Sequence, residues 1–275
     1  MKVAAIQMVS GVERDANLAR ARTLMEEAVR QGAELAVLPE YFCLLGRQDS
    51  DKLAIREPLG RGPIQDFLAR AARELGLWVV GGTLPLDSGD AAGEDPRAYN
   101  STLVYTPQGE RAAHYDKIHL FRFDNGREHY DEARTLRPGK RPVTFELPSR
   151  DGHRWRVGLS VCYDLRFPEL YRGYAQAGAE LLLVPSAFTH TTGQAHWELL
   201  LRTRAVENLA FVAAAAQGGT HENGRRTWGH TMLVDPWGRV LGVQAEHEAV
   251  VVAEFDAAQL QQCRRQLPAL EHRVL

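Results

Sequence analysis

Residues 156 to 169 read Arg156-Val157-Gly158-Leu159-Ser160-Val161-Cys162-Tyr163-Asp164-Leu165-Arg166-Phe167-Pro168-Glu169. The apolar run from 157 to 161 predicts a buried strand, and Pro168 suits the first turn of a following helix because proline pre-sets φ there. Cys162 thus lies between a strand end and a helix start. The positive field of a helix N-terminus favours thiolate over thiol, so Cys162 is a candidate nucleophile. The alternative is a buried structural cysteine.

Two other ionisable residues also come at the ends of predicted strands. Glu40 comes after the run that starts at Glu34, and Lys117 closes the segment from Arg111 to Asp116. Taken singly, Glu40 and Lys117 would be read as surface charges. Together with Cys162 they place a carboxylate, an ammonium and a thiol at three predicted strand ends, which is what an active site at the edge of an α/β sheet requires.

At these residues the chain resembles the nitrilase (carbon–nitrogen hydrolase) superfamily, whose members carry a Glu–Lys–Cys triad. The matching segments are 3–7, 38–41, 116–121, 161–169, 228–232 and 235–238. They span nearly the whole chain in the family's order. The resemblance implies a four-layer α-β-β-α sandwich that forms homodimers or larger homo-oligomers.

Strands and helices alternate in both halves of the chain, which independently predicts an α/β fold with two sheets covered by helices. The expected helices are 17–31, 64–75, 169–177 and 197–208; the expected strands are 3–8, 35–38, 78–81, 102–105, 181–185, 211–217, 231–235 and 250–255. No linker divides the sequence, so residues 1–275 are expected to form one domain. Segment 87–96 is expected to be an exposed excursion between strands.

The composition excludes several classes of protein. Apolar residues make up 44% and charged residues 25% of the chain, as in ordinary soluble globular proteins. A net charge of −2 with scattered basic residues argues against nucleic-acid binding, and no segment is apolar for long enough to be a signal peptide or to span a membrane. Three widely spaced cysteines suit a reducing cytoplasm, and the histidines form no ligand-spaced cluster, so no metal or other cofactor is expected.

The resemblance implies a role for each residue of the triad. Cys162 attacks an amide carbonyl and forms a thioester, while Glu40 acts as general base and then as general acid. Lys117 and the backbone N–H of Tyr163 stabilise the oxyanion.

A second carboxylate is expected to hold Lys117 charged and oriented. Glu132 fits by its distance ahead of Pro138-Gly139. Glu128 remains a competitor because the segment after Lys117 is slightly shorter than in some relatives of the superfamily.

Cys–His catalysis is the rival chemistry, but nothing in the sequence pairs a histidine with Cys162. The available histidines are His119, His190, His196 and His230. Of these, His230 is expected to be a hydrogen-bonded structural residue. Cys43 follows Glu40 closely enough to be a candidate for lining the pocket, and Cys263 is expected to be structural or exposed.

Segments 186–189, 196–202 and 213–217 resemble the superfamily branch of deaminated-glutathione amidases and omega-amidases. The substrates of these two groups, deaminated glutathione and 2-oxoglutaramate, share a 2-oxoglutarate acyl half. The expected substrate is therefore a small amide that carries a carboxylate: deaminated glutathione, or alternatively 2-oxoglutaramate. Arg166 is the candidate for binding that carboxylate, because a guanidinium matches it bidentately, unless Arg166 pairs with Glu169 or Asp164. Phe188 is a candidate wall of the pocket, or a core residue.

The polar, glycine-rich loop 218–226 is a candidate for distinguishing these two substrates. It could carry Arg225 or Arg226 to the far carboxylate of cysteinylglycine, the leaving half of deaminated glutathione; alternatively it is a solvated basic loop. A non-catalytic binding protein of the same fold is the remaining hypothesis, and a scaffold has no need of the full triad.

Overall fold

The structure, a computed structural model, describes residues 1–87 and 95–274. Its helices are α1 (Arg14–Arg30), α2 (Asp51–Ala54), α3 (Pro63–Leu75), α4 (Pro168–Gln176), α5 (His190–Asn208) and α6 (Ala257–Gln266). Its strands are β1 (Lys2–Gln7), β2 (Leu35–Val37), β3 (Trp78–Val80), β4 (Leu84–Asp87), β5 (Ala98–Tyr105), β6 (Arg111–Asp116), β7 (Arg122–Asp124), β8 (His129–Asp131), β9 (Leu136–Arg137), β10 (Thr144–Pro148), β11 (Arg154–Leu159), β12 (Leu181–Leu183), β13 (Phe211–Ala214), β14 (Gly218–Thr220), β15 (Arg226–Trp228), β16 (Thr231–Val234), β17 (Val240–Gln244) and β18 (Ala249–Glu254). Most of the expected excursion at 87–96 lies outside the described residues.

Two mixed sheets form the centre of the molecule. The first has the order β18-β1-β2-β3-β5-β4, and β6 and β9 also pair with β5; the second has the order β10-β11-β12-β13-β16-β17. Strands β1, β2 and β3 run parallel to one another, as do β11, β12 and β13. Because β5 is antiparallel to both β3 and β6, strand β6 runs in the same direction as β2.

Alternating residues of β1 show how the layers are built, because successive side chains of a strand point to opposite faces. Ala4 and Ile6 belong to a core cluster that includes Leu24 of α1 and Leu68 of α3. The intervening residues, represented by Val3, belong to a second cluster that fills the space between the sheets and extends beneath α4 and α5. The predicted four-layer α-β-β-α sandwich is therefore confirmed.

The elements differ from the expected ones mainly at their ends. Helix α5 begins seven residues earlier than the predicted 197–208, because the Thr189 hydroxyl caps it by accepting the backbone N–H of Thr192. The expected strand 211–217 ends earlier, as β13 at Ala214, and β14 begins only at Gly218. A 3₁₀ helix, Cys162–Arg166, separates β11 from α4.

No helix within residues 1–87 and 95–274 is long and apolar enough to cross a membrane.

Candidate active site

Three strand ends bring the predicted nucleophile, carboxylate and ammonium together between the two sheets. Lys117 directly follows β6, Glu40 lies three residues after β2, and Cys162 lies three residues after β11. All three are buried, with exposed fractions of 0% for Lys117, 1% for Glu40 and 7% for Cys162. The sequence thus identified correctly which strand ends meet.

Lys117 lies between two carboxylates. Its Nζ is 2.9 Å from Oε1 of Glu40 and 2.8 Å from Oε2 of Glu132. Burial alone would lower the pKa of Lys117, but the negative charges of Glu132 and Glu40 outweigh it and raise the pKa above its usual value. The side chain is therefore an ammonium at neutral pH, held by hydrogen bonds to both neighbours.

The structure places Glu132, and not Glu128, beside Lys117. Burial would raise the pKa of the Glu132 carboxyl, but the Lys117 ammonium and a 2.7 Å hydrogen bond from the Phe121 N–H lower it below its usual value. Glu128 is partly exposed and its carboxylate accepts a 2.7 Å hydrogen bond from the Thr191 hydroxyl. The structure thus identifies Glu132 as the glutamate that contacts Lys117, a choice that the sequence did not decide.

Residues to which the sequence assigned no role in the site fix both carboxylates. Asn100 Nδ2 donates to Oε1 of Glu40 at 2.8 Å, and the Ala187 N–H donates to Oε2 of Glu40 at 2.9 Å. The Tyr41 hydroxyl donates to Oε1 of Glu132 at 2.8 Å. Tyr41 adjoins Glu40 in sequence and Ala187 lies in segment 186–189, which were usable signals, whereas Asn100 had none.

Cys162 sits on a constrained turn. Its φ of +51° lies in the left-handed region that non-glycine residues seldom occupy, and its N–H donates to the Pro185 carbonyl at 2.9 Å. Such conformations persist only where surrounding contacts impose them, and they occur often at active sites. The turn therefore holds the thiol in one position over the cleft.

The expectation that a helix field makes Cys162 a thiolate is wrong for the resting enzyme. Burial and the neighbouring Glu40 carboxylate raise the pKa of the Cys162 thiol well above its usual value, and Lys117 offsets this only in part. Helix α4 begins only at Pro168, beyond the intervening 3₁₀ helix, so its N-terminus is not adjacent to the sulfur. Cys162 is therefore a neutral thiol before reaction, and the Glu40 carboxylate is close enough to accept its proton.

Asp164 organises this turn from a fully buried position. Its carboxylate accepts hydrogen bonds from the Val161 N–H at 2.9 Å, the Tyr115 hydroxyl at 2.6 Å and the His119 N–H at 3.0 Å. The His119 ring nitrogen Nδ1 lies 2.7 Å from the same carboxylate. Asp164 therefore ties the turn that bears Cys162 to the end of β6. His119 contacts Asp164, and among the described residues it forms no hydrogen bond with Cys162, so the structure does not pair it with the nucleophile.

Arg166, Tyr163 and Phe188 line the narrow cleft at Cys162. The Arg166 guanidinium lies 5.5 Å from the Phe188 ring centroid and 5.7 Å from that of Tyr163. Its Nη1 lies 3.3 Å from Nδ1 of His196, and no carboxylate of the described residues forms an ion pair with it. The alternative pairing with Glu169 or Asp164 is therefore wrong. Phe188 serves both as cleft wall and as core, since it is 5% exposed.

Of the two loop arginines, only Arg225 reaches the cleft. Its Nη2 donates to the Ala187 carbonyl at 3.0 Å, whereas Arg226 is exposed on β15. His230 is structural as expected: its Nδ1 lies 2.9 Å from the Trp228 carbonyl oxygen and its ring stacks on Trp228.

The other two cysteines do not line the cleft. Cys43 is not among the residues that line the cleft, so its expected place in the pocket is wrong. It is buried with its sulfur 3.7 Å from the Thr83 carbonyl oxygen, and burial raises its pKa to about 12. Cys263 is buried on α6. In the described part of the chain no cluster of side chains has the composition of a metal site.

The sequence model of the carbon–nitrogen hydrolase family matches residues 2–265. The chain belongs to this family. A protein of Synechocystis sp. named deaminated glutathione amidase is 40% identical over 273 residues, covering 98% of this chain and 97% of that protein. The human protein named omega-amidase NIT2 is 38% identical over 275 residues, covering 99% and 94%.

Among solved structures, Saccharomyces cerevisiae Nit3, described as a member of branch 10 of the nitrilase superfamily, superposes with a TM-score of 0.87. It is 30% identical and the match covers 100% of this chain and 97% of Nit3. These likenesses confirm the superfamily, the fold and the enzyme class inferred from the sequence. The hydrolase acts on a carbon–nitrogen bond of a small-molecule amide.

Proposed function

We propose that this hydrolase cleaves deaminated glutathione to 2-oxoglutarate and cysteinylglycine through a thioester on Cys162. The observation that carries the proposal is the division of the site into two spaces. A narrow cleft at Cys162 contains Arg166, which has no carboxylate partner among the described residues, and a cavity of about 400 Å³ adjoins it. This division suits a small anionic acyl group joined to a larger amine.

Acylation begins with the neutral thiol. Glu40 takes the proton of Cys162 as the sulfur attacks the amide carbon, and negative charge develops on the carbonyl oxygen. Lys117 and the Tyr163 N–H stabilise this oxyanion. Collapse of the tetrahedral adduct breaks the C–N bond, and Glu40 returns the proton to the departing nitrogen.

Deacylation uses the same groups in reverse. Glu40, again a carboxylate, removes a proton from water, whose oxygen attacks the thioester carbon. The C–S bond then breaks, the acid leaves, and the Cys162 sulfur regains a proton from Glu40. Glu132 keeps Lys117 charged and in place through both half-reactions.

Arg166 and Phe188 would recognise the acyl half. A guanidinium binds a carboxylate through two parallel hydrogen bonds, and the Phe188 ring beside it offers an apolar face to the short carbon chain. The acyl unit of the proposed substrate is a five-carbon 2-oxo acid whose free carboxylate is at the far end from the amide. Arg166, four residues beyond the nucleophile, suits that arrangement.

Omega-amidase activity on 2-oxoglutaramate is the second candidate, because that substrate has the same acyl half and a named relative has that activity. Its leaving group is ammonia, which would leave the adjoining cavity without a role. The size of that cavity favours the dipeptide amide. A purely binding function is disfavoured because it gives no reason for a buried lysine between two glutamates beside a cysteine.

The test is an assay of purified enzyme with deaminated glutathione, 2-oxoglutaramate and neutral amides, measuring release of 2-oxoglutarate and amine. We expect the highest kcat/KM with deaminated glutathione and an acyl adduct on Cys162 by mass spectrometry. Cys162→Ala should abolish turnover while the melting temperature stays near that of wild type. An adduct on Cys43 or Cys263, or an active Cys162→Ala enzyme, would remove Cys162 from the mechanism.

We further propose that residues 1–275 act as one domain that forms homodimers in the cytoplasm. The feature that supports pairing is an exposed apolar group formed by Leu199 and Val206 of α5 with Trp237. Light scattering of the purified protein and of Trp237→Glu tests it: a dimer that the substitution weakens is the expected outcome, and a monomeric wild type contradicts the proposal.

A further inference from the structure

The cavity beside the cleft contains two cations that the reaction as described does not use. Arg225 lines both the cleft and the cavity, and Lys52 of the short helix α2 lines the cavity together with Tyr41, Tyr130 and Asn223. The loops at 44–49 and 221–225 close around it and are joined by a 2.6 Å hydrogen bond from Asn223 Nδ2 to the Gly46 carbonyl.

Lys52 is unusual because it is buried without a counter-ion. It is 9% exposed, its Nζ lies 4.9 Å from the Tyr41 ring centroid, and no carboxylate of the described residues lies within ion-pair distance. Lysines are seldom this buried unless they are paired. Burial lowers the pKa of Lys52, and the more distant Asp49 and Glu132 oppose that effect.

Arg225 also lacks an acidic partner among the described residues. Its guanidinium lies 5.2 Å from the Tyr130 ring centroid and donates through Nη2 to the Ala187 carbonyl, but its Nε is buried without a hydrogen-bond partner. An unsatisfied buried donor is costly, so native structures seldom keep one without a reason. No acidic side chain of the described residues pairs with Arg225 either.

The charges around the cavity favour an anion. Lys52, Arg225 and the exposed Arg47 line it, against the single exposed carboxylate of Asp49. Two partly or fully desolvated cations repel each other in the free enzyme, and an anionic ligand that contacts both removes that repulsion. Arg226, on the same loop, is exposed to solvent and does not line the cavity.

Ala187 fixes the position of this cavity relative to the chemistry. Its N–H donates to Glu40, the proposed proton donor to the leaving nitrogen, and its carbonyl accepts from Arg225. One residue thus separates the group that protonates the amine from the cation that lines the cavity. The cavity is therefore close enough to Glu40 to receive the amine that Glu40 protonates.

We propose that Lys52 and Arg225 form a carboxylate subsite for the leaving half of the substrate, the carboxyl end of a dipeptide amine. This inference rests on the proposed function and extends it, because it assigns binding residues to the second carboxylate of the substrate. Arg166 binds the carboxylate of the acyl half, and Lys52 with Arg225 binds that of the amine half.

The kinetic test uses Lys52→Met and Arg225→Gln, with Arg226→Gln as matched control on the same loop. Three substrates are compared: deaminated glutathione, the same molecule with its terminal carboxylate converted to a carboxamide, and 2-oxoglutaramate. Each substitution should lower kcat/KM for deaminated glutathione about 10- to 100-fold, mainly through KM, since a charge-assisted contact is lost. The other two substrates should change less than about threefold, and Arg226→Gln should match wild type on all three.

Equal losses on all three substrates, or no loss on any, would overturn the subsite. A melting curve shows whether Lys52→Met folds. If it does not, Arg225→Gln alone provides the test, because Arg225 is partly exposed and its substitution is less disruptive to the fold.

A binding measurement separates the subsite from the proposed function. Calorimetric titration of the full chain with S-methylcysteinylglycine and with its C-terminal amide requires no turnover. Wild type should bind the free acid more tightly, and both variants should lose that preference. A wild type that hydrolyses no 2-oxoglutarate amide refutes the proposed function, whereas a wild type that does not distinguish acid from amide refutes the subsite.

Discussion

Replacing Glu132 with glutamine tests whether a second carboxylate is needed to hold Lys117. The Glu132 carboxylate accepts from Lys117 through both oxygens, from the Tyr41 hydroxyl and from the Phe121 N–H. A glutamine side chain has the same shape but only one acceptor oxygen, so its NH₂ group must face a donor. Lys117 also loses one of its two negative neighbours.

The expected cost follows from that geometry. Removing one partner of a buried ion pair typically costs about 3–5 kcal/mol, and because Glu40 still contacts Lys117 we expect the lower end, about 3 kcal/mol of unfolding free energy. A misplaced oxyanion donor costs roughly 10²–10³ in kcat. Because the proposed role of Lys117 is to stabilise the oxyanion and not to bind the substrate, KM should change little.

Urea unfolding followed by fluorescence gives the stability, and 2-oxoglutarate release gives kcat and KM. The pKa of Glu132 is lowered in the folded state, so its contribution is present above its unfolded pKa, about 4.3, and is lost as pH falls through the folded value. The stability gap between wild type and Glu132→Gln should therefore be full at neutral pH and shrink below about pH 4. Glu128→Gln is the matched control and should change stability by less than about 0.5 kcal/mol. A Glu132→Gln enzyme with kcat within twofold of wild type would refute the reasoning.

Three further substitutions test neighbouring contacts. Arg166→Lys should lower kcat/KM for 2-oxo acid amides by about one to two decades, the value of a charge-assisted contact of roughly 1.5–3 kcal/mol, and spare neutral amides; equal losses would make Arg166 structural. Glu40→Gln removes a charge that raises the pKa of Cys162, so alkylation of Cys162 by iodoacetamide near pH 8 should be faster than in wild type while amide turnover is lost; slower alkylation would contradict the assigned cause. Asp164→Asn should cost about 1–3 kcal/mol of stability and lower kcat with little change in KM, and an unchanged kcat would make Asp164 a purely structural residue.

The sequence predicted those parts of the site that depend on local pattern. Glu40, Lys117 and Cys162 each come at the end of a predicted strand, and residues at the carboxyl ends of strands are the ones expected to form an active site in an α/β fold. Glu132 was identified by its distance to a motif. Glu128 remained an alternative partner for Lys117, because spacing along a chain does not give side-chain direction. The roles of these residues in catalysis remain predictions.

Other features could not be predicted because they depend on contacts distant in sequence. Asn100 lies in the middle of a strand 60 residues from the carboxylate it contacts, with no neighbouring motif. Lys52 belongs to a four-residue helix in a polar stretch, where a lysine is ordinarily solvated. The thiolate expectation failed for a related reason: the sequence indicated the helix after Cys162 but not the burial of the sulfur or the proximity of Glu40.

The raised pKa of Cys162 suits the mechanism when the charge of the whole cluster is considered. With a neutral thiol, Lys117 and the two glutamates together carry one negative charge, and transfer of the thiol proton to Glu40 leaves that total unchanged. No net charge enters or leaves the buried site, so the transfer avoids the desolvation penalty that a free thiolate would incur. The negative charge moves from Glu40 to the sulfur and then to the carbonyl oxygen, each time within reach of an ammonium that two carboxylates keep protonated. In the proposed mechanism a carboxylate base shared between thiol and lysine therefore performs the activation that a helix field was expected to supply.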